Sequence, residues 1–163
     1  MRAEADAVID TSDLSLRELR ERMLSALEEA AGEGLRIRLV SFGYKFGLPL
    51  EADIVFDARL LRNPHYVAEL RAQSGLSESV RRFVLSQPAA AGFVDRMREL
   101  LAFAAPAYAL EGRPQVTVAI GCTGGYHRSV VLAEALGAQL RDRGVGDVTV
   151  THRDLGRPTA DRG

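Results

Sequence analysis

Four segments of the chain carry the apolar pattern of β-strands. Residues 35–42 alternate Leu, Ile and Leu with Arg, a period of two that predicts a strand. Residues 115–121 (QVTVAIG) form a β-branched apolar run bounded by Pro114 and by glycines, which is the clearest strand signal in the chain. Shorter runs of the same kind, at 53–57 and 147–152, predict two more strands.

Segments with a helical period separate these strands. The predicted helices cover residues 14–31, 77–87, 91–110 and 127–143, and the stretch after Asn63–Pro64 is expected to be helical as well. Strands that alternate with helices indicate a parallel sheet with helices on both faces. The fold class expected is therefore α/β, a three-layer sandwich with a mostly parallel sheet of about four strands.

Scarce polar residues follow the predicted strands. In parallel sheets the strands end at one common edge, and ligands bind beyond it. All three histidines, the cysteine and the lysine fall at that predicted edge: His65, His127, His152, Cys122 and Lys45. We therefore expect a binding site there, to which Asp57 and Asn63 contribute oxygen atoms for hydroxyl or amino groups.

The segment Cys122–Ser129 joins the clearest strand to a helix through a glycine-rich loop. Glycines allow successive backbone N–H groups to turn inward, and the start of the helix adds its positive dipole end. Arginine, histidine and hydroxyl side chains complete a set suited to an anion with several oxygens, and phosphate is the leading candidate. The candidate ligand-binding residues of this loop are Thr123, Gly124, Gly125, His127, Arg128 and Ser129. No lysine follows the glycines, so the loop is not an ATP-type P-loop.

Cys122 leaves two interpretations open. Cys-x5-Arg-Ser resembles the signature of cysteine-dependent phosphatases, in which a thiolate attacks phosphorus, and Asp57 would then serve as the general acid. However, Gly121 stands where such enzymes usually have histidine. In the other interpretation Cys122 only lines the loop, and the chain has no catalytic residue.

Composition narrows the classes of function. A single cysteine excludes a Cys-rich zinc site and fits a reducing compartment, and no two histidines stand four residues apart, so we expect neither a metal nor a cofactor. A length of 163 residues suits one domain. Without an apolar stretch of ~20 residues or a signal region, we expect a cytoplasmic protein without a membrane partner. The net charge of −1 does not indicate a nucleic-acid binder.

Five segments, in order, resemble the C-terminal domain of the RapZ/YvcJ family of bacterial RNase adapter and nucleotide-binding proteins. They are VIDTSDLSLRELRERM (8–23), SFGYKFGLPLEADIVFDARLLRNPHY (41–66), LSQ (85–87), VTVAIGCTGGYHRSV (116–130) and HRDL (152–155). The resemblance implies a domain over 14–156, preceded by a linker or domain remnant (1–13) and followed by a flexible tail (157–163). It also implies that the family's N-terminal P-loop domain, which carries its ATPase and GTPase activity, is not part of this sequence.

The resemblance to known family members also implies a function for this domain. There it binds small RNAs, presents them to an endoribonuclease, senses glucosamine-6-phosphate and self-associates. The sugar-phosphate pocket would correspond to His65, Thr123, Gly124, His127 and Arg128. The sequence thus favours a non-catalytic regulatory module that binds an aminosugar phosphate or a nucleotide phosphate and couples it to RNA or protein, as a homo-oligomer. The alternatives are a phosphatase-like enzyme and a ligand-free interaction domain for a P-loop NTPase.

Overall fold

The computed structural model describes residues 15–19 and 35–157, and the chain divides into two compact units, Met1–Gly34 and Leu35–Gly163. In the first unit, residues 16–19 are helical. Ser15 and Glu18 form a capping box, with the Glu18 N–H donating to Ser15 Oγ (3.3 Å) and the Ser15 N–H to Glu18 Oε2 (2.9 Å). The remainder of the predicted helix 14–31, like segments 1–13 and 158–163, lies outside the described residues.

The second unit contains a parallel sheet of four strands in the order β2-β3-β1-β4. The strands are β1 (Arg36–Gly43), β2 (Ile54–Asp57), β3 (Gln115–Cys122) and β4 (Asp147–His152). All four coincide closely with the predicted strands. Gly43 of β1 pairs with Cys122 of β3, and Asp57 of β2 pairs with Gly121, so these strands end together at what we call the carboxyl edge.

Three helices of this unit pack against one another. They are α1 (Glu78–Leu85), α2 (Pro88–Leu110) and α3 (Arg128–Asp142), and short 3-10 turns lie at Tyr44–Phe46, Ala58–Leu60 and Pro64–Tyr66. Helix α3 contacts β1, β3 and β4 and both other helices. In the ranges that the structure describes, no helix is long and apolar enough to cross a membrane.

The core lies between these helices and one face of the sheet. It combines alternate strand residues such as Ile37, Leu39 and Ile120 with helix residues such as Met97 and Leu136, each at most 2% exposed. Strand β3 is buried along all but its first residue because it lies between two neighbours, which explains its continuous apolar run. The α/β class and the parallel four-stranded sheet are confirmed, and the arrangement is consistent with a three-layer sandwich.

The prediction of a helix after Asn63–Pro64 was wrong. The chain there forms a single 3-10 turn, Pro64–Tyr66, and then irregular turns up to α1. The Gly75 N–H donates to the carbonyl of Tyr126 (2.8 Å), and a Cβ on Gly75 would lie only 2.5 Å from the carbonyl oxygen of His127. Contact with the loop after β3 therefore fixes this stretch, in place of a repeating pattern of its own.

Candidate functional site

Strands β1 and β3 end in a direct contact between two backbones. A Cβ on Gly43, the last residue of β1, would lie 2.6 Å from the carbonyl carbon of Gly124. A Cβ on Gly125 would lie 2.6 Å from the nitrogen of Gly43, and Gly125 also has a φ of +68°, a conformation that favours glycine. Only glycines allow the loop after β3 to approach the end of β1 this closely.

The loop Cys122–Ser129, which we call the anion loop, carries open backbone donors. Among the described residues, the N–H groups of Gly124, Gly125, His127 and Arg128 have no hydrogen-bond acceptor within the chain. Helix α3 begins at Arg128, so its positive dipole end coincides with these donors. Thr123 is exposed and Gly124 half-buried, which leaves the outer part of the loop accessible to a ligand.

Arg128 is a buried cation without a counter-ion. Its side chain is held by the carbonyl of Leu61, which accepts from Nη1 (2.8 Å), and by Thr123 Oγ1, which accepts from Nη2 (3.2 Å). The residue is 5% exposed, and its Nε has no hydrogen-bond partner. Burial lowers the pKa of the guanidinium. Within the described part of the chain, no carboxylate lies at ion-pair distance from it.

His127 lies beside Arg128 and is also buried. It is 6% exposed, its Nε2 has no hydrogen-bond partner, and its ring packs edge-on against Tyr126 with 4.9 Å between centroids. Burial lowers the pKa of His127 most, the nearby carbonyl of Arg71 opposes that shift, and the neighbouring His65 adds to it. The imidazole is therefore neutral near pH 7.

Lys45 approaches the anion loop from the segment that follows β1. Its backbone N–H donates to the carbonyl of Thr123 (3.2 Å), and its Cε lies 4.0 Å from the position that a Cβ on Gly124 would occupy. Its Nζ lies 4.8 Å from the ring centroid of Phe46. The exposed ammonium forms no ion pair with any residue in the described ranges.

Asp57 and Asn63 are engaged with their own neighbours. Asp57 Oδ2 lies 2.7 Å from Arg59 Nη2, and the hydrogen bonds from Arg59 lower the pKa of this carboxyl. The guanidinium carbon of Arg59 lies 4.1 Å from the ring centroid of Tyr44. Asn63 Oδ1 accepts from the backbone N–H of His65 (3.3 Å) and so begins the 3-10 turn that carries the half-buried His65.

Cys122 and Ser129 lie together beneath the anion loop. Cys122 Sγ is 3.1 Å from Ser129 Oγ, and the two residues are 3% and 0% exposed. These two side chains therefore support the loop from the core side in the structure. Among the described residues, no group of three or more His, Cys, Asp or Glu could hold a metal ion.

Three residues at this edge shape the site although they were not among the predicted ligand-binding residues. Gly43 provides the close approach, Arg59 neutralises Asp57, and the buried Asp154 accepts the Gly43 N–H with its Oδ2 (2.8 Å). Two of the three stand in recognisable motifs of the sequence: Gly43 is the first glycine of SFGYKFG, and Asp154 ends HRD. Neither indicated that a carboxylate after β4 would turn inward toward the end of β1.

We predict that the protein loses stability on acidification through His127. Because burial lowers the pKa of His127 in the folded state, the unfolded state binds its proton first as the pH falls below ~6.5. The free energy of unfolding should then decrease by up to ~1.4 kcal/mol per pH unit. Urea unfolding between pH 7.5 and 5.5 would measure this, with His127→Gln as the reference. An equal pH dependence in both proteins would contradict the prediction, whereas Asp57 contributes only at more acidic pH.

Comparison with known proteins agrees with the resemblance noted in the sequence. The chain is 52% identical over 157 residues to a nucleotide-binding protein of Frankia alni, covering 96% of this chain and 54% of that relative. It is 50% identical to a nucleotide-binding protein of Streptomyces coelicolor, covering 96% and 52%. The chain thus spans about half the length of the curated relatives it matches. The profile of the RapZ C-terminal domain matches residues 35–156, and the chain belongs to that family.

Proposed function

We propose that this chain is a non-catalytic regulatory module whose anion loop binds a phosphorylated small ligand, either an aminosugar phosphate or a nucleotide phosphate. In this proposal, ligand binding is coupled to the binding of RNA or of another protein. The single observation that carries it is Arg128, which is buried next to open backbone donors and has no ion-pair partner in the part of the chain that the structure describes.

A buried charge is costly unless it is paired and hydrogen-bonded. Arg128 is partly satisfied by the carbonyl of Leu61 and by Thr123, but these groups are neutral, and among the described residues Asp57 acts on its charge only from beyond ion-pair distance. A ligand anion at the anion loop would supply the compensating negative charge. It would also accept hydrogen bonds from the open N–H groups. This electrostatic gain supports an anionic ligand at this position.

The balance of charges fits a phosphate monoester. Asp57 and Arg59 neutralise each other, and within the described ranges Lys45 and Arg128 are two cations next to the loop that have no ion-pair partner. A phosphate monoester carries about −1.5 to −2 charges near pH 7. Two cations and a helix start therefore match one dianionic phosphate group.

The remaining candidate residues would contact other parts of the ligand. His65 is close enough to lower the pKa of His127, and in this proposal His65 and the neutral His127 would bind hydroxyl groups or phosphate oxygens. Thr123 adds an exposed hydroxyl, and Gly125 supplies a backbone donor. Ser129 would act from beneath the loop, since its hydroxyl faces Cys122. In this proposal Asp57 and Asn63 orient Arg59 and His65, and contact with ligand hydroxyls would be secondary.

Family membership supports the regulatory part of the proposal. The relatives are named nucleotide-binding proteins, a class that fits a phosphate-binding site. We extend the proposal to the partners that the family suggests, namely a small RNA, an endoribonuclease, a P-loop NTPase domain and further copies of the chain. These partners rest on the family, whereas the phosphate site rests also on the contacts described above.

Gly124→Ala provides a direct test of ligand binding. A Cβ at this position would have only Lys45 Cε for a neighbour, at 4.0 Å, so the fold should accept it. The methyl group would, however, occupy the surface on which the ligand rests. We predict at least about tenfold weaker binding of glucosamine-6-phosphate, AMP or inorganic phosphate, a loss of about 1.4 kcal/mol, with an unchanged melting temperature. Isothermal titration calorimetry would measure the affinities.

Gly92→Ala is the control, because a Cβ there meets only the flexible end of the Arg96 side chain, and the residue lies in α2, outside both the anion loop and the segment after β4. Its affinities should equal those of the wild type. Full affinity in Gly124→Ala would reject the site. If the wild-type protein bound none of the three probes, the ligand-free interaction domain would become the better description.

Cys122→Ser distinguishes the binding module from the phosphatase alternative. Serine fits the space of Cys122 against Ser129, so we predict that ligand affinity stays within about threefold of the wild type, less than 1 kcal/mol. The wild-type protein should show no turnover of an aryl phosphate in a colorimetric assay. A phosphatase rate that disappears in Cys122→Ser would place the protein among the cysteine-dependent phosphatases instead.

A further inference from the structure

The segment that follows β4 is tied to the candidate site by a buried carboxylate. The Asp154 side chain is 0% exposed, and it lies at ion-pair distance from Arg153 Nη2 (2.7 Å) and from Arg157 Nε (2.9 Å). Its Oδ2 also accepts from the N–H of Gly43 (2.8 Å). A carboxylate is buried at such a place only when its partners compensate the loss of water, so these contacts act together.

These contacts hold both ends of the turn that contains Lys45. Asp154 fixes Gly43 before the turn, and Arg153 Nη2 donates to the carbonyl of Gly47 after it (2.8 Å). Arg157 adds a contact in the middle, with its guanidinium carbon 4.7 Å from the ring centroid of Phe46. The ammonium of Lys45 lies near that same ring, so Arg157 and Lys45 share one aromatic partner.

Asp154 and Gly43 also contact the anion loop directly, at Gly125. The nitrogen of Gly43 lies 2.6 Å from the position of a Cβ on Gly125, and Asp154 Cβ lies 3.1 Å from that position. Any shift of Asp154 would therefore move Gly43 against Gly124 and Gly125, whose N–H groups are open. Two routes thus connect Arg157 to the site, one through Asp154 and Gly43 and the other through Phe46 and Lys45.

We propose that Asp154 and Arg157 are positioning residues for the anion loop, and that they couple ligand binding to the order of the segment Arg153–Arg157. This inference rests on the proposed function. Coupling between two sites is reciprocal. A ligand at the anion loop then stabilises the segment after β4, and a partner that engages this segment changes the affinity for the ligand.

The chain offers a closely matched pair of arginines for the test. Arg157 and Arg113 have side chains that are 49% and 50% exposed, and each pairs with one aspartate, at 2.9 Å and 3.0 Å. Each also lies over an aromatic ring, Phe46 for Arg157 and Tyr108 for Arg113. Arg113 immediately precedes β3, away from the carboxyl edge, so Arg113→Ala removes similar contacts without touching the site.

We expect Arg157→Ala to weaken the binding of inorganic phosphate about fivefold in calorimetry, while Arg113→Ala binds like the wild type. Both variants should lose similar thermal stability, so the change in affinity would not follow from general destabilisation. In the wild type, phosphate should also slow amide hydrogen exchange in residues 153–157, a response that a purely structural role would not produce.

The possible failures are distinguishable. The positioning role would be overturned if Arg157→Ala bound phosphate with wild-type affinity, or if bound phosphate did not change amide hydrogen exchange in residues 153–157. Either result would leave the proposed function intact. If the wild-type protein bound neither inorganic phosphate nor the phosphorylated probes, the proposed function and this inference would both fall.

Discussion

The close approach of Gly43 to Gly124 and Gly125 is the constraint on which the site depends. It brings the ends of the two central strands together without a side chain between them. The loop after β3 can then turn over the end of β1 and leave its N–H groups open at the start of α3. A single methyl group on Gly43 or Gly125 would separate the two backbones.

The charges around the loop determine which kind of ligand this geometry favours. Burial at the base of the loop keeps His127 neutral. Among the described residues Arg128 has no ion-pair partner, and Asp57 is paired with Arg59. The positive charge that remains is concentrated at the helix start and on Lys45. A loop held by these close backbone contacts, with open donors and nearby positive charge, would need little rearrangement to bind an anion, which is the physical meaning of preorganisation.

The sequence predicted the parts of the molecule that follow from local patterns. The four strands were predicted correctly because apolar periodicity and β-branched runs reflect burial directly, and the turn between β3 and α3 was visible in its glycines. That this turn binds an anion stays a prediction. The Arg59 pair with Asp57 and the inward Asp154 depend on side-chain direction in space. The turns after Pro64 depend on the contact of Gly75 with Tyr126 and His127, about fifty residues later in the chain. Periodicity carries no information on such distant contacts.

A crystal structure of the protein grown with inorganic phosphate would test the central claim most directly. The account predicts one phosphate ion at the anion loop, within ~3 Å of the backbone nitrogens between Gly124 and Arg128, with Lys45 Nζ turned from Phe46 toward it. The crystals would be grown at a phosphate concentration at which calorimetry detects saturated binding. An empty anion loop under these conditions would contradict the proposal, because the ion would then occupy a different site.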